Sequence, residues 1–163
     1  MSSGPRRELP SLGPRGEGWV VIQVVLLLLL VVAAVLGPQW PDAWDQWLLS
    51  AAAILGLGGA FLFLGGALRL GAQLTPYPKP VEGGELRDTG LFGLVRHPIY
   101  GGVMLLALAW SLATSPLGLI PTGLLAMLFA AKSGREEAWL VEHHAGYEDY
   151  RRRVRRRFIP WVW

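Results

Sequence analysis

The chain contains no cysteine. Disulfides, thiolate nucleophiles and thiolate-bound metals are therefore excluded. Charge is scarce as well. Asp, Glu, Lys and Arg make up 17% of the 163 residues, against about 25% in a soluble domain. The charge that exists falls between apolar runs, the pattern of a chain that crosses a membrane. No convincing strand is present, so a glycine-rich nucleotide turn between strand and helix has no place to form. No serine has the surroundings of a nucleophile elbow. Among the three histidines, His143 and His144 are adjacent. That spacing matches no helical ligand pair, and no metal site is expected.

Apolar residues, in contrast, are 52% of the chain. Residues 1–18 are rich in Gly, Pro and Ser and read as a flexible segment carrying Arg6, Arg7 and Arg15. The rest, 19–163, reads as one membrane domain. Trp19 to Gly37 is long enough to cross a bilayer. Pro38-Gln39-Trp40 makes a poor cleavage site, which favours a retained helix over a signal peptide. Trp40, Trp44 and Trp47 follow as an interfacial belt. A second span from about Leu48 to Leu70 carries Gly56, Gly58, Gly59, Gly65 and Gly66, which permit close helix packing. Pro76, Pro78 and Pro80 then forbid a regular helix. A third apolar helix starts at Pro98, where proline suits the first turn, and ends near Thr114. Ser115, Pro116 and Gly118 turn the chain into a fourth helix, which continues past Ala131 to His143 or His144. Gly146 breaks it.

The tail places Tyr147, Tyr150, Val154 and Phe158 on one stripe and covers the rest with arginines. Such a segment is expected to lie on a membrane surface as a basic amphipathic helix. The expected fold is therefore all-α. It is a polytopic membrane protein with four transmembrane helices, two of them a helical hairpin, and a basic amphipathic C-terminal segment. Net charge is +3. The bases flank apolar runs, so anionic lipid headgroups are the expected partner and nucleic acid is not. Every Lys and Arg falls in the amino terminus, in the segment from Arg69 to Arg96, or after Ala131. The positive-inside rule then places both termini in the cytoplasm of a cell-membrane protein.

Two polar stretches remain. GLFGLVRHPIYGG, Gly90 to Gly102, opens the third helix. REE, Arg135 to Glu137, stands where the fourth leaves the bilayer. Both belong to the cytoplasmic side, and they are expected to close over one pocket. Ionisable groups at such a membrane edge are functional candidates. Adjacent helical positions diverge by about 100°. One glutamate therefore faces a small ligand while the other orients Arg135, Arg96 or the tail; which is which stays open.

RHPIYGG, REE and the closing Tyr147, Tyr150, Val154 and Phe158-Ile159-Pro160 resemble, in order and spacing, the isoprenylcysteine carboxyl methyltransferase family. The resemblance covers about residues 74–163 and is to a bacterial-type member. It implies a membrane enzyme that uses S-adenosyl-L-methionine to methylate a lipophilic acceptor entering from the bilayer. O-methylation of a carboxylate is the leading expectation. By the same resemblance Gly90, Arg96, His97, Pro98, Tyr100, Gly102, Glu137, Tyr147 and Tyr150 bind the cofactor. Arg135, Glu136 and Arg153 are the implied catalytic set. The chain departs from the pattern at Gly90-Leu91-Phe92-Gly93, where relatives carry GPYR, and at Arg155, where some carry proline. The acceptor, the atom methylated and the oligomeric state stay open. An NAD(P)H-dependent membrane reductase of the sterol type is the alternative. It shares the RHP stretch but usually carries Asn where this chain has Ile99. A non-enzymatic membrane scaffold is the other.

Overall fold

The computed structural model describes residues 10–80, 83–160 and 162. Arg6 and Arg7 of the expected flexible segment, and Trp161 and Trp163 of the tail, lie outside them. Residues 10–16 form turns, with Gly18 N–H donating to the Leu12 carbonyl at 2.8 Å. Five α-helices follow: α1 Glu17–Leu36, α2 Asp45–Leu70, α3 Pro98–Thr114, α4 Leu119–His143 and α5 Tyr147–Arg153. Short 3-10 turns at Asp42–Trp44, Gly71–Gln73, Gly90–Gly93 and Pro116–Gly118 join them. No strand is present among the described residues.

Three helical stretches are long and apolar enough to cross a membrane: Glu17–Leu36, Asp42–Gln73 and Pro116–His143. The helix α3 has 17 residues, or about 26 Å, just short of the ~30 Å hydrocarbon thickness. Its start is set by chemistry on both sides of one bond. Proline at position 98 disfavours the helical conformation in the residue before it, and His97 is non-helical, at φ −128° and ψ 64°.

Packing runs from α2 to α3, from α3 to α4, and from α4 to α1. The helices α2 and α3 are antiparallel: Gly66 meets Pro98 and Ile99, and Gly59 meets Gly102 and Leu106. Their backbones touch at the crossing. A Cβ on Gly102 would lie 2.6 Å from Phe63 N and 2.7 Å from the Gly59 carbonyl. The core joins Trp19, Leu26 and Leu30 of α1, Met104 and Ala107 of α3, Leu125, Leu128 and Phe129 of α4, and Phe158 of the tail. The outer faces of α1 and α2 leave Leu28, Val35, Ile54, Leu57 and Leu68 exposed. That surface suits lipid.

One end of the bundle holds the closing turns. There Trp40 Nε1–H donates to the Ser111 carbonyl at 3.0 Å. The other end gathers the start of α1, the loop after α2, the start of α3, the end of α4 and the tail. Every Lys and Arg among the described residues lies at or beside it.

The tail corrects the expectation of one amphipathic helix on the membrane. Helix α5 ends at Arg153, and Val154 is extended. Arg96 N–H donates to the Arg156 carbonyl at 3.1 Å, and His97 N–H to Arg157 at 2.7 Å. The apolar stripe turns inward: Tyr147, Tyr150, Val154 and Phe158 are 1%, 3%, 4% and 0% exposed. It packs on Leu86, Leu140 and the main core rather than on lipid. At Gly101 any side chain would collide with the Phe158 carbonyl.

The crossing gives a matched pair of variants. Gly102→Leu is expected to cost about 1–3 kcal/mol or more through overpacking. A Cβ at Gly58, on α2 away from the crossing, meets nothing within 4 Å. Gly58→Ala should be neutral or stabilise by up to about 1 kcal/mol. Thermal unfolding of both in one detergent checks this, and equal destabilisation would refute the close crossing.

Candidate functional site

RHP and REE meet at the basic end. The carboxylate of Glu137 is 4% exposed and serves as the hub. Arg96 Nε–H donates to its Oε1 at 2.9 Å, and His97 Nε2–H to the same oxygen at 3.1 Å. Arg157 Nε and Nη2 donate to Oε1 and Oε2 at 3.2 and 3.3 Å. Arg96 then uses Nη1 to hold the Val154 and Arg155 carbonyls at 2.7 and 2.8 Å. A buried charge needs such pairing on every side. The start of α3, the end of α4 and the extended tail are thereby tied at one point.

Glu136, one residue earlier, points elsewhere. It accepts a hydrogen bond from Tyr100 Oη at 2.6 Å. Its side chain is 26% exposed, and its Oε2 lies 3.8 Å from His97 Nδ1. The Tyr100 ring stacks on His97 and on Phe129, with centroids 5.4 and 4.6 Å away.

A cleft opens above this group, with about 140 Å³ of room for the centres of water-sized spheres. One water needs roughly a tenth of that. Its floor is Arg96, His97, Pro98, Ile99, Tyr100 and Glu136. The tail side supplies Tyr147 and Tyr150, with Leu140 and His144 at the end of α4. The roof is the proline-rich loop, which contributes Tyr77, Lys79, Glu85, Leu86 and Arg87. Tyr150 Oη–H is spent on the Phe92 carbonyl at 2.7 Å. The Tyr147 hydroxyl is buried with no partner. Burial raises the pKa of both phenols above their usual value, so neither is ionised at neutral pH.

The expected site residues divide by position. Arg96, His97, Pro98, Tyr100, Glu136, Tyr147 and Tyr150 line the cleft. Glu137 lies behind its wall. Gly102 is at the α2 crossing, and Gly90 starts a 3-10 turn with φ +64°. Arg135 stacks over the Trp139 ring at 4.5 Å. Arg153 pairs with Asp88. None of these five is on the cleft wall. Lys79, Glu85 and Arg87 were not singled out from the sequence, and their only signal is that the long loop adjoins the RHP junction. His144 was weighed only as a metal ligand. Among the described residues no cluster of ligating side chains could hold a metal ion.

No family model matches the chain. Among curated proteins, it is similar to the Delta(14)-sterol reductase TM7SF2 of Mus musculus. The two are 34% identical over 85 residues, covering 50% of this chain and 20% of that protein. The match thus spans about a fifth of the relative's length.

The two glutamates should separate in stability. Glu137→Gln leaves Arg96 and Arg157 facing a neutral amide in a buried place. It should cost about 3–5 kcal/mol, the usual penalty for breaking a buried pair. Glu136→Gln keeps an acceptor for Tyr100 at a half-open position and should cost less than about 1 kcal/mol. Unfolding of both variants in one detergent reads the difference; equal losses would remove Glu137 from its place as hub.

Proposed function

We propose that the chain is an S-adenosyl-L-methionine-dependent membrane methyltransferase of the isoprenylcysteine carboxyl methyltransferase type, acting on a lipophilic acceptor. In this reading it crosses the membrane four times, with α3 and α4 as a hairpin, and carries the cleft and both termini in the cytoplasm. The one-sided distribution of Lys and Arg supports that orientation.

The observation that carries the chemistry is the cleft wall. It offers the Glu136 carboxylate together with the rings of Tyr147 and Tyr150, while Tyr100 is stacked on His97 and Phe129 and Tyr77 is covered by Arg15. Carboxylate and aromatic faces favour a cation. The sulfonium donor is a cation at sulfur and a zwitterion at its amino-acid end. Glu136 would receive the ammonium, Lys79 the carboxylate, and the unpartnered Tyr147 hydroxyl a polar atom of the bound molecule. When bound, the donor supplies an electrophilic methyl group.

An acceptor carboxylate is ionised at neutral pH, its pKa being about 4, so no general base is required. The residues' work is to orient the acceptor, strip its water and hold it in line. Tyr147 and Tyr150, which carry the tail over the cleft, would exclude water. Glu137 would act only through Arg96, His97 and Arg157, as the anchor of the wall.

A nicotinamide-dependent reductase is the second reading, and the partial match to a sterol reductase favours it. Such a cofactor carries its charge as phosphates, which want unspent cations. Arg96 is committed to Glu137 and two carbonyls. Arg87 lies 3.4 Å from Glu85 but keeps a buried Nε–H without a partner, and Lys79 is on the wall as well. The commitment of Arg96, the cation on the cleft floor, weighs toward the methyl donor.

Calorimetry in nanodiscs against S-adenosyl-L-methionine and NADPH separately decides between them. Micromolar-range binding of the methyl donor is expected. Glu136→Gln should weaken it roughly tenfold to a hundredfold, the worth of one charged hydrogen bond. Binding of NADPH alone would establish the reductase instead. Reporter fusions test the orientation: a carboxyl-terminal fusion should report cytoplasm, and a signal from the opposite side would overturn the four-crossing reading.

A further inference from the structure

A second pocket lies beside the extended tail and shares no lining residue with the cleft. It is formed by Gly93 and Leu94 of the turn before α3, by 153–156 of the tail, and by Pro160. It offers about 120 Å³ for the centres of water-sized spheres. Three arginines border it. Arg153 is paired with Asp88. The acids of α5, Glu148 and Asp149, are paired with Arg151 and Arg152. No acidic group among the described residues is paired with Arg155 or Arg156, and both are exposed. Their backbone carbonyls point inward to Arg96. The extended tail is thus held by its carbonyls, and Arg155 and Arg156, both lining the pocket, have no paired acid among the described residues.

The surroundings are apolar on one side. Leu94 is 48% exposed. The same turn packs on the last part of α2, where a Cβ on Gly65 would touch Leu91. Leu68, one helical turn from that contact, is 82% exposed. A basic pocket therefore adjoins the apolar outer face of a membrane-grade helix at its polar mouth.

We propose that the pocket bordered by Gly93, Leu94, Arg155 and Arg156 binds the phosphate of an anionic membrane phospholipid. Guanidinium groups grip phosphate through paired N–H donors, which a compact ammonium cannot do. The phosphate sits between the two arginines, and the acyl chains continue past Leu94 onto the face of α2. The occupant also braces the strand whose carbonyls hold Arg96, and so the wall of the cleft. The site requires neither the methyl donor nor catalysis, so it stands or falls separately from the proposed activity.

The test uses the purified full chain in detergent with short-chain phosphatidylglycerol as probe. Phosphatidylcholine of the same chain length and inorganic phosphate are the other arms. Native mass spectrometry counts the bound lipid, and the melting temperature follows occupancy. Saturable binding of phosphatidylglycerol is expected. The double variant Arg155→Gln with Arg156→Gln should weaken it at least tenfold. Arg151→Gln with Arg152→Gln removes the same charge from the same tail outside the pocket and should leave affinity within about twofold. Arg155→Lys with Arg156→Lys keeps the charge without the fork and should fall between. It also serves if the glutamine pair does not fold. Equal weakening by both glutamine pairs, or by neither, would overturn the site. A shift as large with phosphatidylcholine would remove the charge argument. One as large with inorganic phosphate would make the ligand a free anion and refute the lipid.

Discussion

One carboxylate decides the architecture of the basic end. Glu137 is buried at the basic end of a largely apolar bundle, and a charge there is tolerable only if it is answered from several directions. The answers come from two parts of the chain: Arg96 and His97 before α3, and Arg157 in the tail. Arg96 could not reach Glu137 if α3 began earlier, because residues 96 and 97 would then be helical. Proline at 98 disfavours the helical conformation in His97. The non-helical pair in turn presents N–H groups that bond the tail backbone. The break in the helix, the ion cluster and the course of the tail are thus one arrangement.

This explains what could be read beforehand and what could not. Apolar length alone located α1, α2 and α4, because runs such as Trp19 to Gly37 have few other uses. The meeting of RHP and REE was legible too, since charge is costly at a membrane edge and both stretches fall on the side favoured by basic residues. The choice between Glu136 and Glu137 was not. A 100° divergence says that two side chains part, but the rotation of α4 in the bundle decides which goes where. That rotation is set by packing of Leu125, Leu128 and Phe129, visible only in three dimensions.

The tail was misread for a related reason. A stripe at three- and four-residue spacing shows that one face is apolar, and is silent on whether lipid or protein covers it. Here Tyr147, Tyr150 and Val154 meet Leu86 and Leu140, and Phe158 joins the main core. The helical period also failed after Arg153, where backbone pairing with Arg96 and His97 overrides it. Exposed arginines remain on the outer side, which is why the composition still looked like a surface helix.

The roof of the cleft raises the question of how an irregular loop can hold a site in shape. The proline-rich stretch has few backbone bonds of its own, and its order is supplied from outside. Lys132, buried well inside α4, donates to the Pro76 carbonyl and to Gln23 of α1, both at 2.8 Å. Its ammonium also lies 5.1 Å from the centre of the Tyr100 ring on the cleft floor. Gln23, a polar residue within the first apolar run, and Lys132, the first charged residue of α4, are therefore partners. Pro78 is held against Gly16, where any side chain would collide with it. Leu86 is held by the tyrosines of the tail. The described parts of the loop, fastened to the bundle and to the tail, lose little further freedom when a ligand enters. Preorganisation of that kind matters most for a reaction that depends on alignment rather than on proton transfer. The buried lysine and the buried glutamate, each expensive alone, fix the roof and the floor of the same space.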